Sequence, residues 1–344
     1  MSFPLEQFQP DGIHLDTASV GLAPKVGVDA LHQAIDAWHR GNATAGGYDV
    51  FVARARAAFS RIVECPVDWI AITTPVSLAT AHAASLLQPG DTVLVAEEDF
   101  TSVLFPFLDR QGDGVIVKAV PLDSLIDSIT DDITMVAVSA IQSADGRRID
   151  LDLLAATAKV CGALTYLDIT QAAGWVPLDA TVFDITSCGL YKWLCSPRGG
   201  GFMTVAPHLW DKMQAVAPGW YAGEDPWTST YGAPLRLASS ARRYDVSPAW
   251  LCWAGAAPIL EFFADIGSAD VGAHNVRLAN LFREGLGLAP SDTAMVSIDI
   301  SEAQVEKLRS GGVSFAARAG LSRFSFHLYN TEADVQAVLL MLGS

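Results

Sequence analysis

The chain has 344 residues and a formal net charge of -16 at pH 7, with 51% hydrophobic and 17% charged residues. This length and composition supply enough apolar residues for one large domain and a smaller one, and they argue against long disordered regions. The strong negative charge disfavours contact with a phosphate backbone, so we expect no nucleic-acid partner.

The sequence has no apolar run long enough to cross a bilayer, and its N-terminus lacks the basic and apolar regions of a signal peptide. Its five cysteines are odd in number and form no Cys-x-x-Cys pair, and its seven histidines have no metal-ligand spacing. We therefore expect a cytoplasmic protein with reduced thiols, no membrane segment and no bound metal.

Strands and helices alternate through the first two thirds of the chain. The predicted elements are a short strand at His14, helices over 24–40 and 51–63 with a flexible loop over 41–47 between them, strands over 69–73, 92–96, 115–120, 135–141, 165–169, 183–190 and 201–205, and helices over 77–87, 101–110 and 151–160. Several strands are unbroken apolar runs, as expected when helices cover both faces of a sheet. Repeated strand–helix–strand units predict a doubly wound, mostly parallel sheet.

The pattern changes at about residue 248. Two long helices, over 250–266 and 270–285, precede short strands over 296–300, 313–317 and 322–327 and helices over 302–310 and 332–342. We therefore predict an α/β protein with a large domain over residues 1–247 and a smaller C-terminal α+β domain over 248–344.

Two apolar runs of the predicted sheet end in reactive side chains. One run ends at Asp168, with Gln171 three positions later, and the next run is followed by Tyr191 and Lys192. Neighbouring parallel strands place such residues at one edge of the sheet, where a lysine and a carboxylate suit pyridoxal phosphate (PLP). Taken singly, Lys192 could lie with its stem on apolar surface, and Asp168 could cap a turn.

The junction over residues 73–79 is a candidate phosphate site. Free N–H groups at a helix start, together with the hydroxyls of Thr74 and Ser77, would hold a phosphate, and an ordinary helix cap is the alternative. Phe100, after the next strand, could stack on a flat ring, although an aromatic residue at a strand end is more often core. The glycine run after Pro197 allows either close backbone approach to a cofactor or a tight hairpin.

Two arginines, Arg318 and Arg323, fall in the last predicted strands. Arg323 lies in an otherwise apolar segment and needs an anionic partner. That partner is either a substrate carboxylate, which arginine binds with two parallel hydrogen bonds, or an internal Asp or Glu.

Together, these segments resemble the class V aminotransferase family of PLP fold-type I enzymes. That family includes cysteine desulfurases, isopenicillin N epimerase, kynureninases and ergothioneine-pathway C–S lyases. The resemblance runs from His14-Leu-Asp-Thr-Ala-Ser19 to Leu328-Tyr-Asn-Thr331 and rests on the Asp-x-x-Gln motif, the lysine and the closing segment from Arg323. It implies the fold-type I architecture, PLP as the cofactor and an amino acid as the substrate.

The resemblance also implies roles for individual residues. Lys192 is the Schiff-base lysine, Asp168 pairs with the pyridinium nitrogen, and Gln171 bonds the phenolate oxygen. Phe100 stands where the family stacks an aromatic residue or histidine on the ring, and Val76 and Ser77 stand where it binds the phosphate, next to the Thr74 hydroxyl proposed above.

Substrate and subunit contacts follow in the same way. Arg323 matches the carboxylate-binding arginine, and Arg318 is a second substrate-binding candidate. Ser247 matches a threonine that reaches the phosphate of the neighbouring subunit, which implies a homodimer with active sites at the interface.

The departures from the family pattern bear on the chemistry. Desulfurases carry a catalytic cysteine on a loop between the last two strands, whereas residues 318–323 leave no loop and no cysteine, so we expect no persulfide-forming chemistry. The residue before the lysine is Tyr191 instead of the histidine of desulfurases. Kynureninases have Gly-Tyr-Lys, in which the tyrosine can serve as a proton donor at Cβ, whereas the order here is Gly-Leu-Tyr-Lys. Ala140 stands where asparagine is expected, so Gln142 or Ser143 would take over that contact.

Several functions remain open from the sequence. Transamination, side-chain-cleaving lyase chemistry of the kynureninase or C–S β-lyase kind with Tyr191 as the acid, and epimerisation share the same first residues. A cofactor-stabilised binding protein is the non-enzymatic alternative, and the intact Lys192 and Asp168 argue against it. A nucleotide-dependent α/β enzyme is a further rival, weakened because the Gly-x-Gly-x-x-Gly fingerprint is missing.

Overall fold

A computed structural model of the chain describes residues 3–343. The helices are α1 Lys25–His39, α2 Ala45–Ile62, α3 Val76–Ala84, α4 Thr101–Asp109, α5 Leu122–Leu125, α6 Leu151–Cys161, α7 Trp250–Ile266, α8 Ser268–Gly285, α9 Glu302–Ser310 and α10 Glu332–Leu342. The strands are β1 Ile13–His14, β2 Ile70–Thr73, β3 Thr92–Ala96, β4 Ile116–Val120, β5 Met135–Ser139, β6 Leu164–Asp168, β7 Ile185–Gly189, β8 Gly201–Val205, β9 Met295–Ile298, β10 Val313–Ser314, β11 Ala316–Arg318 and β12 Leu321–Ser325.

A seven-stranded sheet forms the centre of the molecule, in the order β2-β8-β7-β6-β5-β3-β4. All neighbouring pairs from β7 to β4 are parallel, and β8 runs antiparallel to both β2 and β7. The predicted α/β fold with a large, mostly parallel sheet is therefore confirmed. The central strands are buried along their whole length, as expected when both faces of a sheet are covered by helices.

Helices cover the two faces of the sheet with separate apolar cores. On one face, Phe59 of α2 stacks on Phe202 of β8 with ring centroids 4.5 Å apart, and Trp253 of α7 packs against Phe202 at 5.1 Å. The other face carries α3 and α4, whose buried alanines and Phe107 pack on the short side chains of the sheet.

The C-terminal part of the chain forms its own antiparallel sheet, in the order β11-β12-β9. The short strand β1 pairs with β10, so the N-terminal segment packs beside this sheet. Helix α7 packs against α1 and α2. The predicted boundary between residues 247 and 248 stays a prediction.

Two local predictions were wrong. The flexible loop over residues 41–47 is shorter than expected because α2 begins at Ala45, where the side chain of Thr44 accepts a hydrogen bond of 3.1 Å from the N–H of Gly47. Gly46 and Gly47 have poor helix propensity, so the sequence pattern did not predict this first turn. The strand expected over 313–317 is split, because Val313–Ser314 pairs with β1 and Ala316–Arg318 pairs with β12.

A buried ion pair ties β2 to the segment before α7. The Arg56 guanidinium donates to Asp245 at 2.7 Å, and the other oxygen of Asp245 accepts from the N–H of Ile72 at 2.7 Å. This contact fixes the end of β2, and the residues that follow this strand form the candidate phosphate site. No helix within residues 3–343 combines the length and apolar character that crossing a bilayer requires.

Candidate active site

A cavity of about 340 Å³ opens where β6 and β7 end, next to the first turn of α3. The residues that line it come from the ends of several strands and from the loops that follow them: Thr74, Pro75, Val76, Phe100, Ser102, Asp168, Thr170, Gly189, Tyr191, Lys192, Arg198 and Gly199. The structure therefore brings six of the predicted site residues together in one cavity. Ligands of open α/β sheets bind at such carboxyl edges.

Asp168, the last residue of β6, is buried with its carboxylate held on one side only. Its Oδ1 accepts hydrogen bonds from the N–H of Thr170 at 2.8 Å and from the Thr170 hydroxyl at 2.5 Å. Burial raises the pKa of Asp168 to about 6, while the hydrogen bonds from Thr170 and the charge of Lys192 oppose this rise. Among residues 3–343, no donor is hydrogen-bonded to Oδ2, which leaves that oxygen for a ligand.

Lys192 lies three residues beyond β7 and is also buried. Its Nζ is 5.5 Å from the centre of the Phe100 ring and 6.0 Å from the centre of the Tyr191 ring. Burial lowers the pKa of Lys192 to about 8; Asp168 opposes this fall, and Arg323 and Arg318 add to it. A lysine with this pKa is more often neutral, and thus more nucleophilic, than an exposed lysine.

The start of α3 presents free N–H groups to the cavity. Pro75 precedes the helix and provides no side-chain cap, and it has no N–H of its own. The N–H groups of Val76 and Ser77 donate to no acceptor within the part of the chain that the structure describes. Such groups, with the helix dipole behind them, form an anion site.

Tyr191 and Arg198 occupy the mouth of the cavity. The guanidinium carbon of Arg198 lies 5.1 Å from the centre of the Tyr191 ring. Burial raises the pKa of Tyr191, and the positive charge of Arg198 opposes the rise. Sequence reasoning took the segment after Pro197 only as a glycine run and missed Arg198, although a single arginine among glycines after the lysine was a visible signal.

Asp99 is buried like Asp168, but sequence reasoning missed this second carboxylate. It accepts hydrogen bonds from the N–H of Ser139 at 2.7 Å, from the Ser139 hydroxyl at 2.5 Å and from the N–H of Phe100 at 2.6 Å. Burial raises its pKa. Asp99 thereby fixes the turn that carries Phe100 to the end of β5, and the acidic run before Phe100 was the only sequence signal.

Gln171 lies behind the cavity and is absent from its lining. Its Nε2 donates to the carbonyl of Ala18 and to the hydroxyl of Ser143, both at 3.1 Å, and its Oε1 accepts from Trp193 at 2.7 Å. The amide is therefore engaged by the protein, and its predicted contact with the phenolate oxygen stays a prediction. Gln142, the predicted substitute, donates to Asp99 at 3.3 Å.

Arg323 is almost fully buried in a group of residues that we call the Arg323 cluster: Arg323, Asp16, Ser19 and Ser143. The Arg323 guanidinium donates to the carbonyl of Ser143 and, at 2.9 Å, to the hydroxyl of Ser19, and it lies 3.8 Å from Asp16. Burial lowers the pKa of Arg323 to about 10. Arg318 is exposed and donates to the same Ser19 hydroxyl at 3.3 Å, and neither arginine lines the cavity.

The two predicted phosphate hydroxyls beyond Thr74 lie outside the lining. Ser77 is in the first turn of α3, but its side chain does not line the cavity. Ser247 is exposed and accepts a hydrogen bond of 3.3 Å from Trp220. Within residues 3–343 no group of three or more His, Cys, Asp or Glu side chains is arranged to hold a metal ion.

The fold and this cavity define a class of enzyme, and the comparison of sequences gives its family. The family model for aminotransferase class-V matches residues 52–304, so the chain belongs to the class V aminotransferase family. It is therefore an enzyme, and its cofactor is pyridoxal 5'-phosphate.

Individual relatives carry different activities. The chain is 26% identical to an uncharacterized aminotransferase, YcbU, of Bacillus subtilis over 82% of this chain and 80% of that protein. It is 28% identical to a kynureninase of Deinococcus radiodurans over 76% of this chain and 67% of that protein. The crystal structure of the cysteine desulfurase CsdA of Escherichia coli superposes with a TM-score of 0.85 at 21% identity, covering 100% and 98% of the two chains, and this match shows the fold.

Proposed function

We propose that this PLP enzyme removes the α-proton of an amino acid and then cleaves its side chain, as a lyase. The observation that carries the proposal is the presence of Lys192, Asp168 and Tyr191 in one cavity, with the Tyr191 hydroxyl unbound by any residue among 3–343. A base, a ring partner and a separate proton donor are the groups that side-chain cleavage requires.

The residues of the cavity fit the cofactor. The free N–H groups of Val76 and Ser77, with the hydroxyl of Thr74 beside them, suit the phosphate. The free Oδ2 of Asp168 suits a protonated ring nitrogen, and the face of Phe100, which is 46% exposed, suits the flat ring. When bound, PLP supplies an electron sink for the negative charge left at Cα.

Lys192 is the proposed base. With a pKa of about 8, about one tenth of the amine is neutral at pH 7, and the neutral amine accepts the α-proton. The negative charge of Asp168 stabilises the protonated amine, which is why it raises the pKa of Lys192 against the effect of burial.

Tyr191 is the proposed acid for the leaving side chain. Burial raises its pKa, so the phenol retains its proton at neutral pH and has one to donate. The charge of Arg198 stabilises the phenolate that remains after donation, since it lies over the same ring.

Persulfide-forming desulfurase chemistry is not part of this proposal. The strands β11 and β12 are joined by only two residues, Ala319 and Gly320, both with positive φ, as in the tightest hairpins. That connection leaves no room for a catalytic loop. Among the described residues, the cavity lining includes no cysteine.

Transamination is the second candidate, and the similarity to YcbU, which is described as an aminotransferase, favours it. The kynureninase relative favours the lyase instead. Arg323, with Arg318 beside it, is the proposed site for the substrate carboxylate in either case. We also propose a homodimer, because Ser247 matches the family's threonine that reaches the phosphate of the neighbouring subunit, and it is exposed and outside the cavity of its own chain. We propose a cytoplasmic location, because all five cysteines are free.

Product analysis distinguishes the candidates. The PLP-loaded protein is incubated with single amino acids, and the products are identified by mass spectrometry. A lyase releases a side-chain fragment together with alanine or pyruvate, whereas a transaminase yields a keto acid and pyridoxamine phosphate. Epimerisation exchanges the α-hydrogen without either product. Keto acid formation without any released fragment would overturn the lyase proposal.

A further inference from the structure

We infer that Arg198 binds an oxyanion of the ligand in this cavity, and that its occupant is the side-chain carboxylate of a dicarboxylic amino acid. The inference deepens the proposed function and rests on it. It assigns the choice between acidic and neutral substrates to Arg198, which lines the cavity, whereas Arg318 and Arg323 do not.

Arg198 has an exposed guanidinium that no carboxylate of the described chain neutralises. Residues 3–343 contain no ion pair or side-chain hydrogen bond that involves it, and its only close partner is the ring of Tyr191 at 5.1 Å. The five N–H donors of this arginine are therefore available in the cavity.

The backbone of Arg198 is held in place by α7. The carbonyl of Arg198 accepts a hydrogen bond of 3.3 Å from the thiol of Cys252. Gly199 has a φ of +124°, and a Cβ there would lie 2.8 Å from the same sulfur atom. Pro197 packs so closely on α7 that a Cβ at Gly255 would lie 3.0 Å from its Cγ. A fixed backbone and a stacked side chain reduce the entropy that binding an anion would cost.

The other anions of the bound ligands already have proposed partners. The start of α3 offers two free N–H groups to the cofactor phosphate, and Arg323 is the proposed partner of the substrate α-carboxylate. Arg198 is the remaining cation of the lining besides Lys192. Arginine binds the oxygens of a phosphate as well as those of a carboxylate. The experiment must therefore distinguish the cofactor phosphate from the side-chain carboxylate of the substrate.

The test compares Arg198→Gln with Arg198→Lys and with the control Arg61→Gln, which removes an exposed arginine paired with Asp265 away from the cavity. In the first arm, visible absorbance of the PLP-loaded proteins is titrated with aspartate, glutamate and alanine. We expect Arg198→Gln to weaken the response to both dicarboxylates by about 10-fold to 100-fold and to leave alanine within about 2-fold, because a charged hydrogen bond is lost. Arg198→Lys should restore part of the affinity, since it keeps the charge without the planar fork.

In the second arm, the apoproteins are titrated with PLP and with pyridoxal, which lacks the phosphate. If Arg198→Gln loses affinity for PLP but not for pyridoxal, then Arg198 binds an oxyanion and that oxyanion is the cofactor phosphate. This result would overturn the dicarboxylate part of the inference. Unchanged affinity in both arms would overturn the whole inference. If no amino acid alters the wild-type spectrum, the proposed function fails, and the second arm still decides whether Arg198 binds an oxyanion.

Discussion

The cavity and the Arg323 cluster both influence Lys192 and are built in opposite ways. The cavity presents groups without a hydrogen-bond partner among residues 3–343: one oxygen of Asp168, the first N–H groups of α3 and the guanidinium of Arg198. In the Arg323 cluster, the guanidinium already donates to Ser19 and Ser143. Free polar groups mark a place for a ligand, whereas bound ones mark a place where a ligand must replace internal contacts.

One detail keeps the Arg323 cluster open to a ligand. Oδ1 of Asp16 and Nε of Arg323 are buried, and neither has a hydrogen-bond partner among residues 3–343. The ion pair of the two residues is long, with 3.8 Å between Asp16 Oδ1 and Arg323 Nη2. A carboxylate that bound Nε would satisfy a buried donor that is otherwise unsatisfied, which is a favourable exchange.

The largest effect is expected from Asp168→Asn. Turnover should fall by about 10²–10⁴-fold, because the variant removes the carboxylate beside the base and the ring nitrogen. Asp179→Asn is a matched control: its Oδ1 accepts from the N–H and hydroxyl of Thr181 at 2.8 and 2.5 Å, the same local turn that Asp168 makes with Thr170, but at an exposed site. Equal losses in the two variants would mean that Asp168 acts only as a turn residue.

The buried amine predicts a pH dependence of stability. Since burial lowers the pKa of Lys192 from 10.5 to about 8, the folded apoprotein binds fewer protons at this site than the unfolded chain between these values. Stability from this group is therefore lowest below pH 8 and rises with pH across the window. We expect the unfolding free energy of the wild type, relative to Lys192→Met, to increase by about 3 kcal/mol at most from pH 8 to pH 10.5. A flat difference in denaturant titrations would contradict the burial of the ammonium group.

Arg323→Gln and Arg198→Gln should differ in their effect on the unfolding free energy. Losing charged hydrogen bonds to Ser19 and Ser143 should lower the unfolding free energy of the apoprotein by about 1.5–3 kcal/mol. Arg198→Gln should leave it within about 0.5 kcal/mol, because this exposed guanidinium forms no ion pair or side-chain hydrogen bond within residues 3–343. Guanidinium chloride titrations of the two variants measure this directly. Equal unfolding free energies of the two variants would show that the hydrogen bonds of the Arg323 cluster add no stability. The contrast drawn between the two sites would then be wrong.

A smaller loss of activity than that of Asp168→Asn is expected from Tyr191→Phe. Release of the side-chain fragment should slow by about 10²-fold, near the low end for a lost general acid. Exchange of the α-hydrogen with deuterated water, measured by proton NMR, should stay close to the wild-type rate because Lys192 is the proposed base for that step. A parallel loss of both rates would assign Tyr191 to the earlier step or to folding.

The sequence predicts the cavity better than its surroundings, for a physical reason. Asp168 and Lys192 follow apolar runs of parallel strands, and the geometry of such a sheet brings the ends of its strands together without further information. Asp99 and Arg198 were missed because their partners, Ser139 and Tyr191, are fixed only by three-dimensional packing. The amide of Gln171 is likewise held by contacts with Ala18 and Trp193, distant in sequence, that no local pattern specifies.

The most direct test of the central claim is the position of the covalent bond to the cofactor. The PLP-loaded protein is reduced with borohydride, digested and mapped by mass spectrometry, with Lys192→Ala as the paired sample. We predict that the pyridoxyl group is found on the peptide that contains Lys192 and that the variant carries none. Modification of a different lysine, or a protein that retains no pyridoxyl group after reduction, would contradict the assignment of this cavity as the active site.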